Sequence, residues 1–253
     1  MASPRVFAVT LVTFSVFTDI LAYSIAVPVL PPLSQRFGAS PTMIGLLFAS
    51  FGVTVLAVSV PMGTISDRIG RRLPLMGGLI ALSASTVLFA FAPSLSWLFA
   101  ARLVQGAADA VAWVVGFALI ADLYTAEERG RVMGLVMSGS TFGFMVGPTL
   151  GGWLYETGGM QMPYLVVAAL SLVAALGFAV LRLASHVAAH EPLPLASILR
   201  VRYVVGAVAI ATMITPSLTL VVITAGLWQA GRTSSRSVPT PHPSPASRTD
   251  ARS

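Results

Sequence analysis

The chain contains no cysteine and no lysine among its 253 residues, and only 9% of its residues are charged. The absence of cysteine excludes a disulfide framework, a thiolate metal site and a thiol nucleophile. An average soluble domain is about a quarter charged, whereas here 56% of the residues are hydrophobic. A soluble fold could not cover so much apolar surface with so few charges, so the composition predicts a membrane protein.

The sequence also has none of the short motifs that bind nucleotides or build a hydrolytic site. It contains no Walker loop, dinucleotide fingerprint or nucleophile elbow, so nothing supports an ATP-driven pump or a membrane enzyme. All fifteen basic residues are arginine, but most stand in short turns beside apolar segments and form no basic face for nucleic acid. We therefore expect a protein that is not an enzyme and has no cofactor, metal site or nucleic-acid partner.

Long apolar segments fill most of the chain. A helix that crosses the hydrocarbon core needs roughly 20 mostly apolar residues. Six segments reach that length: 5–30, 42–63, 73–92, 96–121, 131–154 and 161–183. The sequence thus predicts an all-α, polytopic transmembrane protein with a six-helix bundle (1–183), a cytoplasmic linker (184–201), a candidate seventh helix (202–228) and a disordered tail rich in Pro, Ser and Arg (229–253).

The arginines predict which helix ends face the cytoplasm. If the N-terminus is cytoplasmic, only Arg36 falls in an outer loop of the first six helices, as the positive-inside rule requires. The arginines placed inside are Arg5, Arg68, Arg71, Arg72, Arg129, Arg131 and Arg182. We expect a multi-pass protein of the plasma or inner membrane with its N-terminus in the cytoplasm.

Residues 63–72, Gly-Thr-Ile-Ser-Asp-Arg-Ile-Gly-Arg-Arg, form a charged turn between two apolar segments. The turn resembles the motif between the second and third helices of major facilitator superfamily transporters, Gly-x-x-x-Asp-Arg-x-Gly-Arg-Arg/Lys. The matching residues are Gly63, Asp67, Arg68, Gly70, Arg71 and Arg72. The resemblance implies that Asp67 bonds to a helix of a C-terminal half and that Arg71 pairs with Asp122 at the end of the fourth helix.

Residues 143–152 read Gly-Phe-Met-Val-Gly-Pro-Thr-Leu-Gly-Gly. Small residues at four-residue spacing let two helices approach closely, and neighbouring helices tolerate an internal proline. The segment resembles the Gly-x-x-x-Gly-Pro-x-x-Gly-Gly motif that marks antiporters within the superfamily. It matches at Gly143, Gly147, Pro148, Gly151 and Gly152. The resemblance implies a fifth helix that seals the outer face between two transporter halves.

The fourth helix places Arg102, Gln105, Gly106, Asp109 and Trp113 on one face, because they recur at three- and four-residue steps. An Arg or Asp inside the membrane costs about 2.5–3.5 kcal/mol on insertion scales, so this face should meet a polar cavity or a partner. Either these residues bind protons or substrate, or Arg102 and Asp109 form a pair that only holds helices together. The run from Arg102 to Gly106 also resembles the family's Arg-x-x-x-Gly motif, which implies an arginine associated with proton coupling.

In the first helix, Asp19 and Tyr23 precede the segment 28–32, Pro-Val-Leu-Pro-Pro. A carboxyl group inside a membrane can exchange a proton for a cation, so Asp19 is the first candidate for binding a proton or a substrate charge. The alternative is a salt bridge with Arg102. Tyr23 and Trp113 can stack on an organic cation or serve only in packing. The whole pattern resembles the first helix of drug:proton antiporters.

The second and fifth helices end on similar sequences. Each ending carries two glycines and an acid at the same spacing, and a proline precedes each group. The matched residues are Pro61, Gly63, Asp67 and Gly70 in one ending and Pro148, Gly152, Glu156 and Gly159 in the other. The match predicts two inverted three-helix repeats, as in each half of a major facilitator.

The resemblance implies proton-coupled efflux of drugs or other small organic molecules, driven by the proton gradient. The expected partners are the lipid bilayer, a small organic substrate and protons. Family members usually have twelve or more helices, and after Trp228 the sequence changes abruptly to Arg, Ser, Thr and Pro. We therefore expect the N-terminal half of an antiporter, truncated by a frameshift or a premature stop. The alternatives are a half-transporter that pairs with a copy of itself or another half, and a non-transporting membrane fragment that acts as an interaction partner.

Overall fold

A computed structural model describes residues 4–181, and this part of the chain is entirely helical apart from short turns. Its helices are α1 (Pro4–Arg36), α2 (Pro41–Ile69), α3 (Arg72–Ala90), α4 (Leu95–Leu123), α5 (Ala126–Gly158) and α6 (Met162–Val180). The six predicted helices are therefore present. The predicted linker, seventh helix and tail lie outside the described residues.

Five of the helices in the described part are long and apolar enough to cross a membrane. The exception is α5, which has 33 residues but contains many Gly, Ser and Thr residues and begins with charged ones. Its predicted crossing at 131–154 is therefore not supported by composition, and its place in the bundle comes from packing. It runs parallel to α1, since Gly139 lies beside Thr13 and Gly151 beside Ile25.

The predicted three-helix repeat is visible in the helix ends. Both α2 and α5 end at a glycine in the left-handed region, Gly70 with φ 86° and Gly159 with φ 75°, where an L side chain is strained. The helices that follow, α3 and α6, each have 19 residues. Helix packing follows the same symmetry, because α1 packs on α5 as α4 packs on α2.

Short polar caps define where the helices begin. Ser40 accepts a hydrogen bond from the backbone N–H of Met43 at 3.3 Å and starts α2. Thr125 and Glu128 form a capping box that starts α5. Because such caps satisfy backbone N–H groups that have no partner inside the helix, the turns between helices can be short.

Buried apolar side chains fill the bundle in three successive clusters along α1. The middle cluster includes Leu21 of α1, Leu82 of α3, Ala108 of α4 and Val167 of α6. Burial of one such side chain contributes about 1.5–3 kcal/mol in water, but within lipid close packing replaces that driving force. The middle cluster therefore holds α1 against α4 at the level where their acidic residues lie.

Candidate functional site

Asp19 of α1 is 2% exposed and sits at mid-helix among the packed helices. The indole Nε1 of Trp113 on α4 donates a hydrogen bond to its Oδ2 at 3.2 Å. The Asp109 carboxyl, one helical turn before Trp113 on α4, is a close neighbour of the Asp19 carboxyl. Two carboxyl groups this close together in a buried site repel each other when both are charged.

Asp109 and Trp113 differ from Asp19 in being half-buried. The ring of Trp113 meets that of Phe117 edge to face, with centroids 5.5 Å apart. Its N–H is therefore directed at Asp19 while its ring is held from the side. The structure brings together three of the predicted site residues, Asp19, Asp109 and Trp113, on two helices.

Arg102 is fully buried and stands apart from those carboxyl groups. Its Nη1 donates to Oε1 of Gln105 at 2.9 Å. Among the residues that the structure describes, Arg102 forms no ion pair with Asp19 or Asp109. Neither of the two salt bridges considered as alternatives from the sequence is formed. The predicted polar face of α4 thus separates into an acidic part and a basic part.

Aromatic rings from three helices surround the Arg102 guanidinium. Its Cζ lies 5.7 Å from the centroid of Tyr23, 4.9 Å from Phe48, 5.7 Å from Phe51 and 5.5 Å from Phe89. Tyr23 therefore contacts the basic part of the site. Three of the four rings are phenylalanines of α2 and α3. They were missed from the sequence because the prediction relied on the spacing of residues within α4.

Gly106 allows α2 to approach α4 beside this cluster. A Cβ at this position would lie 2.5 Å from the Phe51 backbone oxygen and 3.0 Å from Thr54 Cβ. Any larger residue would push the two helices apart. Gly106 is therefore a packing residue that holds Phe51 close to Arg102.

The charged turn 63–72 closes one end of the bundle. Arg71 Nε lies 2.8 Å from Asp122 Oδ2, and Nη1 lies 2.5 Å from Asp67 Oδ1 and 2.7 Å from Ser66 Oγ. Burial lowers the pKa of the Arg71 guanidinium, but its hydrogen bonds and charge interactions with Asp122 and Asp67 outweigh burial and raise that pKa overall. The expected pairing of Arg71 with Asp122 is present. The proposed bond from Asp67 to a C-terminal half stays a prediction.

Arg72 makes a contact that the sequence did not indicate. Its Nε donates to the Phe178 backbone oxygen at 2.7 Å, and its Nη2 donates to the Ala179 oxygen. A cation at the last carbonyls of a helix satisfies acceptors that have no intrahelical partner. Arg72 thus ties the start of α3 to the end of α6, while Arg68 is exposed.

Replacing Arg71 with glutamine should lower the free energy of unfolding by about 1 kcal/mol. The pairs are partly exposed, with side-chain exposures of 16% for Arg71 and 30% for Asp122, and solvent screens them. Unfolding of the purified chain in mixed micelles would measure the change. Arg68→Gln, in the same turn, is the matched control and should change stability by less than half as much. Equal effects of the two variants would contradict a specific role for Arg71 in the turn.

The glycines of 143–152 lie in a stripe against α1. A Cβ added at Gly143 would lie 2.9 Å from the Phe17 backbone oxygen, and one added at Gly151 would lie 3.1 Å from Ile25 Cγ1. A Cβ added at Gly147 would clash with the Ser24 side chain. Gly152 has no described atom within 4 Å of such a Cβ, and Pro148 is exposed. Three glycines of the motif therefore set the spacing of α1 and α5. The implied seal between two halves stays a prediction.

Comparison with known proteins agrees with this architecture. The sequence profile of the Major Facilitator Superfamily matches residues 12–232. A probable vesicular acetylcholine transporter-B of Danio rerio is 39% identical over 170 residues, which cover 64% of this chain and 34% of that relative. The human synaptic vesicular amine transporter is 40% identical over 131 residues, covering 51% of this chain and 26% of the relative. The chain thus spans about a quarter to a third of the length of these relatives.

A solved structure shows the same helix arrangement. It is a bacterial homolog of the human lysosomal transporter Spinster in an inward-facing, unoccupied conformation. The two superpose with a TM-score of 0.66 at 20% sequence identity, over 72% of this chain and 44% of that one. At this identity the likeness concerns the fold alone. Together with the profile match over most of the sequence, it identifies the chain as a multi-pass membrane protein of the Major Facilitator Superfamily.

Proposed function

We propose that this chain provides the N-terminal half of a proton-coupled antiporter for small organic molecules, organic cations above all. The observation that carries the proposal is the contact of Asp19 with Asp109 and Trp113 inside the bundle. Ionisable side chains inside a membrane bundle are rare and mark ion or substrate pathways. The proposed role is carriage across the membrane, without enzymatic chemistry, cofactor or metal.

The paired carboxyl groups can hold a proton in the absence of substrate. When an organic cation enters beside them, its positive charge replaces that of the proton, and the proton leaves to the side that is then open. Trp113 keeps Asp19 in place through its hydrogen bond, and the half-buried Asp109 is the more accessible carboxyl. One site that binds either a proton or a cation couples the two movements.

The names of the relatives support an organic cation as substrate. They are transporters of acetylcholine and of amines, which are positively charged near neutral pH. Drugs that carry a protonated or quaternary nitrogen have the same charge. We propose efflux from the cytoplasm across the plasma or inner membrane, with the arginine-rich turns and the N-terminus on the cytoplasmic side.

Alternating access needs a second bundle that rocks against the first around a midplane site. The outward sides of α2 and α5 can take such a partner or lipid, since Val53 is 64% exposed and Met145 is 67% exposed. Another transporter half or a second copy of this chain can fill that place. A chain without either would be a non-transporting membrane fragment.

Transport by reconstituted vesicles tests the proposal. The full chain is inserted into vesicles with an acidic interior, and uptake of radiolabelled tetraethylammonium is followed with the pH gradient intact or collapsed by a proton ionophore. We expect uptake that depends on the gradient and is absent in Asp19→Asn. Glu156→Gln, an exposed acid at the end of α5, serves as the matched control and should transport normally.

The outcomes separate the alternatives. Gradient-driven uptake by this chain alone would mean that two copies form the transporter. Proton release on cation binding without uptake would support the site while showing that another half is needed. Neither uptake nor proton release would contradict the proposed function, and uptake unaffected by Asp19→Asn would contradict the mechanism.

A further inference from the structure

A second polar site lies apart from the carboxyl pair, around Arg102. The guanidinium is 0% exposed, and only its Nη1 has a hydrogen-bond partner, the Gln105 side chain. Its Nε and Nη2 are buried without a hydrogen-bond partner among the described residues. The N–H groups on these two nitrogens of a charged side chain are therefore available to an acceptor inside the bundle.

The hydroxyl of Tyr164 on α6 is also buried without a hydrogen-bond partner among the described residues. The residue as a whole is 2% exposed. Its ring stacks on Phe89 with centroids 5.7 Å apart, and the Phe89 centroid is 5.5 Å from Arg102 Cζ. Arg102 of α4 and Tyr164 of α6, each with unpartnered donor atoms, thus both contact the ring of Phe89.

The aromatic rings do not replace a negative charge. A cation–π contact stabilises by about 0.5–2 kcal/mol, whereas taking a lone ion out of water costs several kcal/mol even after relaxation. Asp109 lies seven residues further along α4, or about 10 Å of helix rise, which is beyond hydrogen-bonding reach. Buried charges in proteins are normally paired, so Arg102 requires an acceptor that bears negative charge.

We propose that Arg102 and Tyr164 bind a small inorganic anion of the chloride class inside the bundle. Arg102 Nε and Nη2 and Tyr164 Oη donate to it, and its charge compensates that of the guanidinium. A single negative charge matches the single positive charge of the Arg102 guanidinium. The anion joins α4 to α6 and stabilises the bundle. This site is separate from the carboxyl pair and does not depend on the proposed transport.

Thermal unfolding in two salts tests the anion site. The full chain in lipid nanodiscs is unfolded in sodium chloride and in sodium gluconate at equal ionic strength, because gluconate is a far larger anion than chloride. We expect chloride to raise the unfolding midpoint saturably by about 3 °C, the shift that follows when the ligand is near ten times its Kd. Tyr164→Phe keeps the ring and should lose at least half of that shift, and Arg102→Gln should lose all of it. The exposed Arg131→Gln is the matched control and should keep it.

A second measurement guards against variants that fail to fold. Chloride NMR linewidths should broaden with the unmodified chain and narrow on addition of bromide, which competes for the same donors.

The only acids outside the described residues are Glu191 and Asp250, so the double variant Glu191→Gln, Asp250→Asn should keep the chloride response. Equal midpoints in both salts would overturn the proposal, as would a chloride response that survives unchanged in Tyr164→Phe.

Discussion

Asp19→Asn is expected to abolish the proton release that accompanies binding of an organic cation. Asparagine has the same shape and still accepts the hydrogen bond from Trp113 Nε1, but it cannot carry the exchangeable proton. Loss of a charged partner typically costs about 1.5–3 kcal/mol, so affinity for tetraethylammonium should fall roughly 10- to 100-fold. A pH indicator in weak buffer measures the protons released, and equilibrium dialysis measures the binding.

Asp109→Asn tests whether proton release and cation binding depend on different carboxyl groups. With only Asp19 left, the carboxyl–carboxyl contact is lost, so proton release should fall while cation binding persists. Glu156→Gln, far along α5 and exposed, should change neither quantity. Full proton release by Asp19→Asn would show that another group carries the proton and would remove Asp19 from the mechanism.

Gly147→Ala should be the most destabilising single-methyl change in the glycine stripe. The added Cβ would lie 2.8 Å from Ser24 Cβ and still closer to Ser24 Oγ. Ser24 cannot easily turn away, because its hydroxyl donates to the backbone oxygens of Leu21 at 3.2 Å and Gly143 at 3.4 Å. Overpacking of a tight contact costs about 1–3 kcal/mol. Unfolding in mixed micelles would measure this loss.

Gly152→Ala is the matched control for that change. A Cβ there meets nothing within 4 Å among the described atoms, and Ala favours a helix over Gly by up to about 1 kcal/mol. It should therefore leave the unfolding free energy unchanged or raise it. Adding Ser24→Gly to Gly147→Ala should restore stability, because it removes both clashing atoms. Equal destabilisation by the two glycine variants would contradict close packing of α1 on α5 at Gly147.

Several features were predictable because they depend on local chemistry. Apolar segments of membrane length predicted the six helices. The charged turn also predicted the pair that Arg71 forms with Asp122 at 2.8 Å, because the motif specifies which residues meet at a fixed turn. The repeat between Gly70 and Gly159 predicted two similar helix ends, and both glycines have positive φ.

Other features depend on which helices meet, and spacing along one helix does not determine that. Arg102, Asp109 and Trp113 share a face of α4, yet Asp109 and Trp113 contact Asp19 while Arg102 lies among aromatic rings. The sequence suggested salt bridges from Arg102 to these acids, because opposite charges were the obvious partners. Arg102 lies about 10 Å of helix rise before Asp109 on α4, and the packing of the other helices on α4 brings Asp19 to Asp109 and aromatic rings to Arg102.

The sequence by itself determined the helices, the inverted repeat and the residues of the charged turn. These follow from hydrophobic length and from the spacing of glycines and charges, which are properties of a few neighbouring residues. Only the tertiary structure decided that Asp19 pairs with Asp109, that Arg102 lacks an acidic partner in the described part of the chain, and that Arg72 holds the end of α6. Those contacts join residues of different helices, and their partners are selected by how closely the helices pack.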